Sequence, residues 1–294
     1  MRKSIIAYIY VVFAVLLWAS TPAVGKLLLL NLNNLQVLFF TSFIASISLV
    51  IISLTQNKIR VIKGYKFKDY LKFAYMGFVG IFLYYVFFYG ALKYLPAQEA
   101  SVINYLWPII VLIFAGIILR EKFTLRKFLG IILSFIGVFI VGTRGNIFSF
   151  HFSNLAGILL AVAGAIVYGL FSVLGKKYDY ERFTSMLFYF IFTFIFVSIV
   201  ISIFSSIPSI SISQFLSLLW LGIFPSSLGF TFWFLALKYG DTAEMSNVIY
   251  LTPFVSLVYI HFLVGEKILP SSIIGLILII TGILIQSLRK NESR

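Results

Sequence analysis

The 294-residue chain has no cysteine, two histidines and nine acidic residues, and each scarcity closes off a chemistry. Without cysteine there is no disulfide, thiolate nucleophile or thiolate metal site. His151 and His261 are too few for a histidine cluster. Charged residues make up 11% of the chain, against roughly a quarter in a soluble globular domain. Hydrophobic residues reach 61% and mean hydropathy is +1.07, so the solvent of this chain is lipid.

A hydrocarbon core takes about 20 apolar residues per helical span. Ten apolar runs are long enough, near 5–28, 35–55, 70–92, 97–119, 125–142, 155–175, 184–205, 214–236, 243–264 and 271–288. The first follows Arg2 and Lys3 but outruns a signal peptide and has no clear cleavage signature, so it reads as a retained span. The expected fold is therefore an all-α membrane protein of ten transmembrane helices.

The formal charge of +14 is distributed unevenly. With a cytoplasmic amino terminus, only Lys26, Lys93, Arg144 and Lys267 face outward, and the other 19 basic residues face the cytoplasm. That asymmetry is the positive-inside rule. It predicts both termini inside a plasma membrane, contact with anionic lipid and no nucleic-acid partner.

The segment ALKYLPAQEASVINYLWP at 91–108 returns 145 residues later as ALKYGDTAEMSNVIYLTP at 236–253. In this register 77–140 and 222–285 share 20 identities in 64 positions, including the rare letters Lys93, Glu99, Ser101, Tyr105, Pro108, Glu121 and Lys122. The first spans agree at an offset of 150, where Trp18, Gly25 and Lys26 meet Tyr168, Gly175 and Lys176. The chain thus divides into repeats at 1–147 and 148–294. Five spans per repeat is an odd number, so the second copy is inverted, as in secondary transporters that work by alternating access.

The pattern ALKY, then E-A-S-x-x-x-x-L-x-P, then Glu121–Lys122 and a span with spaced glycines, resembles the EamA family of the drug/metabolite transporter superfamily. The string NYLWP, Asn104 to Pro108, is similar to the matching segment of that superfamily's aromatic amino-acid exporters. The resemblance implies carriage of a metabolite, amino acid or drug, and export of a small metabolite, an amino acid or related neutral or zwitterionic compound, is the use expected. A channel or membrane scaffold is the alternative, with an intramembrane enzyme third.

Pro108 and Pro253 fall near mid-span, where each frees the carbonyl four residues earlier, at Asn104 and Ile249. They are either packing kinks or broken turns lining a substrate cavity. The cavity reading gathers Trp18, Tyr85, Tyr89, Asn104, Trp107, Pro108, Tyr168, Trp233, Asn247, Tyr250 and Pro253. Glu99 and Glu244 sit in first helical turns, as carboxylates offsetting the positive helix end or as gate and coupling groups. Glu121–Lys122 and Glu266–Lys267 read as interfacial anchors or gate ion pairs. Gly157, Ala161, Ala165 and Gly169 form a small-residue seam for close helix approach.

GLFSVLGKK at 169–177 lacks the spacing and hydroxyl of a phosphate-binding loop, since five residues separate its glycines and Lys177 follows Lys176. No cofactor or metal is expected. Every basic residue can be assigned to a helix end or loop, so the substrate is expected to be neutral or zwitterionic. Nothing in the sequence sets an oligomeric state.

Overall fold

The computed structural model describes residues 2–95, 100, 103–122, 124–143, 145, 146, 148, 154–264 and 267–287. Among them there is no strand. A backbone without water must satisfy itself, and the long apolar runs do so as helices. Eight helical segments are long and apolar enough to cross a membrane: Ser4–Gly25, Asn34–Thr55, Phe67–Ala91, Leu125–Gly142, Leu155–Lys177, Arg182–Phe204, Ile212–Tyr239 and Thr242–Leu263. Two shorter apolar helices, Trp107–Ile118 and Pro270–Ile285, accompany them. The run expected at 97–119 is shortened by a turn at Tyr105 and Leu106, just before Pro108.

Polar caps set where helices start. Asn33 and Gln36 exchange side-chain and backbone bonds at 2.8 and 3.0 Å, a capping box that opens Asn34–Thr55. Ser211 and Gln214 do the same before Ile212–Leu221. Asp241 Oδ1 accepts from the amides of Ala243 and Glu244, at 3.0 and 3.2 Å.

Two spans are widened into π-helical turns, at Phe78–Leu83 and at Gly222–Gly229. Their midpoints coincide under the 145-residue offset. Pro225 lies inside the second turn, and the Trp18 indole N–H donates to its carbonyl at 3.1 Å. Wide turns of this kind concentrate at functional sites because they displace the side chains that follow them. Here those side chains are Tyr84, Tyr85, Phe88 and Tyr89 in one span and Phe230 in the other.

Glycine permits a close helix crossing. A Cβ on Gly137 would fall 2.5 Å from the Gly275 carbonyl, and one on Gly282 would fall 2.4 Å from the Gly130 carbonyl. Between them the Ser134 hydroxyl donates to the Ile279 carbonyl at 3.2 Å. Sequence position rises along one helix as it falls along the other, so Leu125–Gly142 and Pro270–Ser287 run antiparallel. The small-residue seam of Leu155–Lys177 packs in the same manner: Gly157 faces Leu95, and Gly169 faces Ile110 at 2.6 Å from its would-be Cβ.

Candidate functional site

The widened turn at Phe78–Leu83 and the break at Tyr105–Leu106 point their following side chains at a common space. It is a cavity of about 180 Å³ lined by aromatic rings from both halves, with Asn104, Thr21 and Thr252 as the non-aromatic polar members. No lining residue carries a formal charge.

The rings interlock edge to face. Trp107 and Tyr168 have centroids 4.8 Å apart, Trp18 and Phe230 5.4 Å, and Trp18 and Tyr168 6.3 Å. Such contacts match the positive ring edge to the negative face. Asn104 is 6% exposed; its Nδ2 donates to the Tyr84 hydroxyl at 3.2 Å, and its Oδ1 has no hydrogen-bond partner among the described residues. Thr252 Oγ1 is likewise without one. A buried amide or hydroxyl left unpaired costs about 1–3 kcal/mol, so these two atoms are poised to bind a polar group.

Of the residues expected from the sequence around a cavity, Trp18, Tyr85, Tyr89, Asn104, Trp107 and Tyr168 line this one. Trp233 stands behind the wall, fully buried, with its indole donating to Ser172 Oγ at 3.0 Å. Pro108 and Pro253 begin the helices after the breaks and do not line the cavity. Asn247 and Tyr250 are fully buried elsewhere; Tyr250 packs on Phe135 in a cluster with Leu112, Ile131 and Ile279. The short helical turn at Ile249–Leu251 rotates Ile249 and Thr252 to the cavity and Tyr250 away from it. Glu99 lies outside the described residues, and the Glu244 carboxylate accepts from the Tyr8 hydroxyl at 3.2 Å.

Thr21, Tyr84, Phe88, Tyr105, Phe230, Ile249 and Thr252 also line it and were not among the cavity residues expected from the sequence. The signal for two of them was present, because Ile249 and Thr252 are the 145-offset counterparts of Asn104 and Trp107.

A second, more open cavity of about 680 Å³, the vestibule, shares Tyr85 and Tyr89 with the first and is bordered by Leu29, Leu32, Asn33, Asn34 and Gly90. The opposite end of the molecule is tied by ion pairs. Lys176 meets Glu121 at 2.9 Å, Lys127 pairs with Asp241, and Lys238 meets Asp179 at 2.9 Å. The hydrogen bond from Lys238 holds the Asp179 carboxyl below the ordinary aspartate range, with the charges of Lys238 and Arg182 adding to the effect.

The chain matches the EamA-like transporter family over residues 5–143 and 155–288. It belongs to that family. It is 29% identical to the transporter YyaM of Bacillus subtilis over 83% of this chain and 80% of that one. A transporter of Archaeoglobus fulgidus is 23% identical over 97% of this chain and 98% of its own. The aromatic amino acid exporter YddG of Ancylobacter novellus is 27% identical over 61% of this chain and 63% of its own. A solved crystal structure superposes with a TM-score of 0.86 at 19% identity, covering 98% of this chain and 99% of that one, and so shares the fold. The chain is a transporter-family, multi-pass membrane protein.

Proposed function

We propose that this protein is a secondary transporter that exports a small neutral or zwitterionic metabolite by alternating access, an amino acid with an aromatic side chain being the best fit. The observation that carries the reading is the cavity wall: four pairs of its residues occupy equivalent positions of the two halves. Trp18 and Tyr168 correspond at the 150 offset, and Tyr85 with Phe230, Asn104 with Ile249, and Trp107 with Thr252 correspond at 145. A cavity built from equivalent positions of two halves lies between them, where alternation exposes it to each face in turn.

Ten spans in two inverted repeats are supported by the glycine crossing. Gly130 with Gly282 and Gly137 with Gly275 are one contact written twice, since 275 and 282 are 130 and 137 advanced by 145. A reciprocal contact is the signature of a two-fold relation. Because the two helices run antiparallel, the axis lies across them. The family match in two segments and the recurrence of the π-helical turns fit the same arrangement. Both termini are then cytoplasmic, as the charge asymmetry requires.

The chemistry of the wall selects the cargo. A volume of about 180 Å³ is below the roughly 300–1,000 Å³ typical of pockets for drug-sized ligands, which favours a small metabolite. Desolvating a phosphate needs a fixed cation, and the lining has none. Rings offer faces to an aromatic side chain, and Asn104 Oδ1 and Thr252 Oγ1 offer acceptors to an ammonium group. The relationship to YddG agrees with this choice.

Uptake into proteoliposomes tests the proposal with a panel of amino acids and a sugar phosphate. Saturable flux of neutral aromatic amino acids is expected; saturable flux of the sugar phosphate alone would overturn it.

A further inference from the structure

The two ends of the cavity are not equivalent. Gly25 and Gly175 correspond at the 150 offset, yet a Cβ on Gly175 would fall 1.9 Å from the Phe234 ring, while one on Gly25 would meet nothing within 4 Å. Phe234 corresponds at 145 to Tyr89, which borders the vestibule instead of closing on its glycine. The same element pair is therefore interlocked at one face and parted at the other. The interlocked face is the one where the first helix begins, since Ala7 lies 2.9 Å from the would-be Cβ of Gly240 and Tyr8 bonds Glu244.

A polar network ties that face together. Lys176 Nζ reaches Glu121 Oε1 at 2.9 Å, the Gly240 carbonyl at 3.0 Å and Thr242 Oγ1 at 2.8 Å, and the Thr242 hydroxyl donates to the same Glu121 oxygen at 2.7 Å. Lys127 pairs with Asp241 alongside. Glu121 and Lys127 come from the first half, and Lys176, Gly240, Asp241 and Thr242 from the second. Arg120, just before Glu121, holds a left-handed φ of 56°, a conformation uncommon outside glycine, and the Glu121 amide folds back to the Ala115 carbonyl at 3.2 Å. The backbone is bent so that the glutamate arrives at the lysine.

We propose that the Glu121–Lys176–Thr242 network is the latch that keeps this face shut while the vestibule is open, and that the cavity operates it through the two helices it shares. The proposal rests on the alternating-access reading. Trp107 opens the helix that ends just before Glu121, and Tyr168 lies on the helix that ends at Lys176–Lys177. Their rings touch at 4.8 Å, and Gly169 on Ile110 holds the two helices together below. Cargo that wedges between Trp107 and Tyr168 acts on the same helix pair whose far ends carry the latch. Opening that face between the halves parts Glu121 from both Lys176 and Thr242, and Lys127 from Asp241.

The absence of native cysteine makes the test direct. An Ile249→Cys reporter in the cavity is labelled with a membrane-impermeant maleimide applied to either face of oriented vesicles. The parent reporter is expected to label from the vestibule face. Glu121→Gln should raise labelling from the latch face about two- to fivefold, the range for a partly exposed ion pair, and lower it from the vestibule face. The charge swap Glu121→Lys with Lys176→Glu should restore the parent ratio. Should Glu121→Gln fail to fold, Thr242→Val, which keeps both charges and removes one acceptor, carries the same test. An unchanged ratio in a folded variant overturns the latch and leaves alternating access standing. Equal labelling from both faces in the parent overturns alternating access and the latch with it.

Discussion

The Trp18 and Tyr168 rings stand edge to face with their centroids 6.3 Å apart, and each occupies the place in its half that the other occupies in its own. Residues related in this way meet only where the two halves meet. On the repeat arrangement proposed above, this contact lies on the relation between the halves, so a motion that exchanges their conformations would rearrange the cavity wall. The chemistry around that point is lopsided, because Asn104 faces Ile249 across the relation and Trp107 faces Thr252.

Polar recognition is expected to sit on the Asn104 side. Asn104→Leu removes an acceptor and the donor to Tyr84, and loss of one buried hydrogen bond costs about 1–3 kcal/mol. Transport should fall about tenfold or more, measured as initial flux in vesicles, with folding unchanged by gel filtration. Trp107→Ala should shift preference away from aromatic cargo as a stacking surface is lost.

The glycine crossing gives a stability test with an internal control. Gly137→Ala sets a methyl against the Gly275 backbone, which cannot swing aside, and should cost about 1–3 kcal/mol. Gly25→Ala meets open space and should cost nothing. Thermal unfolding in detergent separates them by the fall in Tm of the first alone.

The Asp179–Lys238 pair predicts a pH signature outside the membrane-spanning segments. Its carboxyl titrates below the ordinary 3.8, so the stability it contributes is present above that value and is lost as pH falls through the lower folded value. Asp179 is 71% exposed, and an exposed pair is worth up to about 1 kcal/mol. Lys238→Met should therefore lower Tm slightly at neutral pH, and the difference from the parent should close as pH drops below 3.8. A difference that persists in acid would show that the lysine acts by packing.

Much of the helical architecture was legible because lipid imposes a single backbone solution and a duplicated sequence marks equivalent positions. Trp18, Asn104, Trp107 and Tyr168 were found from their closeness to a mid-span proline or their match across the offset. Asn247 and Tyr250 were grouped with them by the same closeness to Pro253, but the structure turns both away from the cavity. For Tyr250 the cause is local: three residues at Ile249–Leu251 wind more tightly than an α-helix, and each residue of such a turn advances the side-chain direction by about 120° instead of 100°. Sequence does not reveal the winding of a broken turn. Nor does it reveal the π-helical widening at Phe78–Leu83: Tyr85 and Tyr89 were expected at the cavity, but their neighbours Tyr84 and Phe88, which line it as well, were not.

The central claim is that cargo crosses in a cavity open to one face at a time, and counterflow measures this most directly. Proteoliposomes loaded with unlabelled phenylalanine are diluted into trace labelled phenylalanine with no other gradient. An alternating carrier returns with labelled cargo each time it delivers unlabelled cargo, so the label should rise inside above its equilibrium level and then decay, and Asn104→Leu should blunt the overshoot. A label that enters the vesicles through the protein yet climbs only to equilibrium, with no overshoot at any loading, would mean an open channel and would contradict the account.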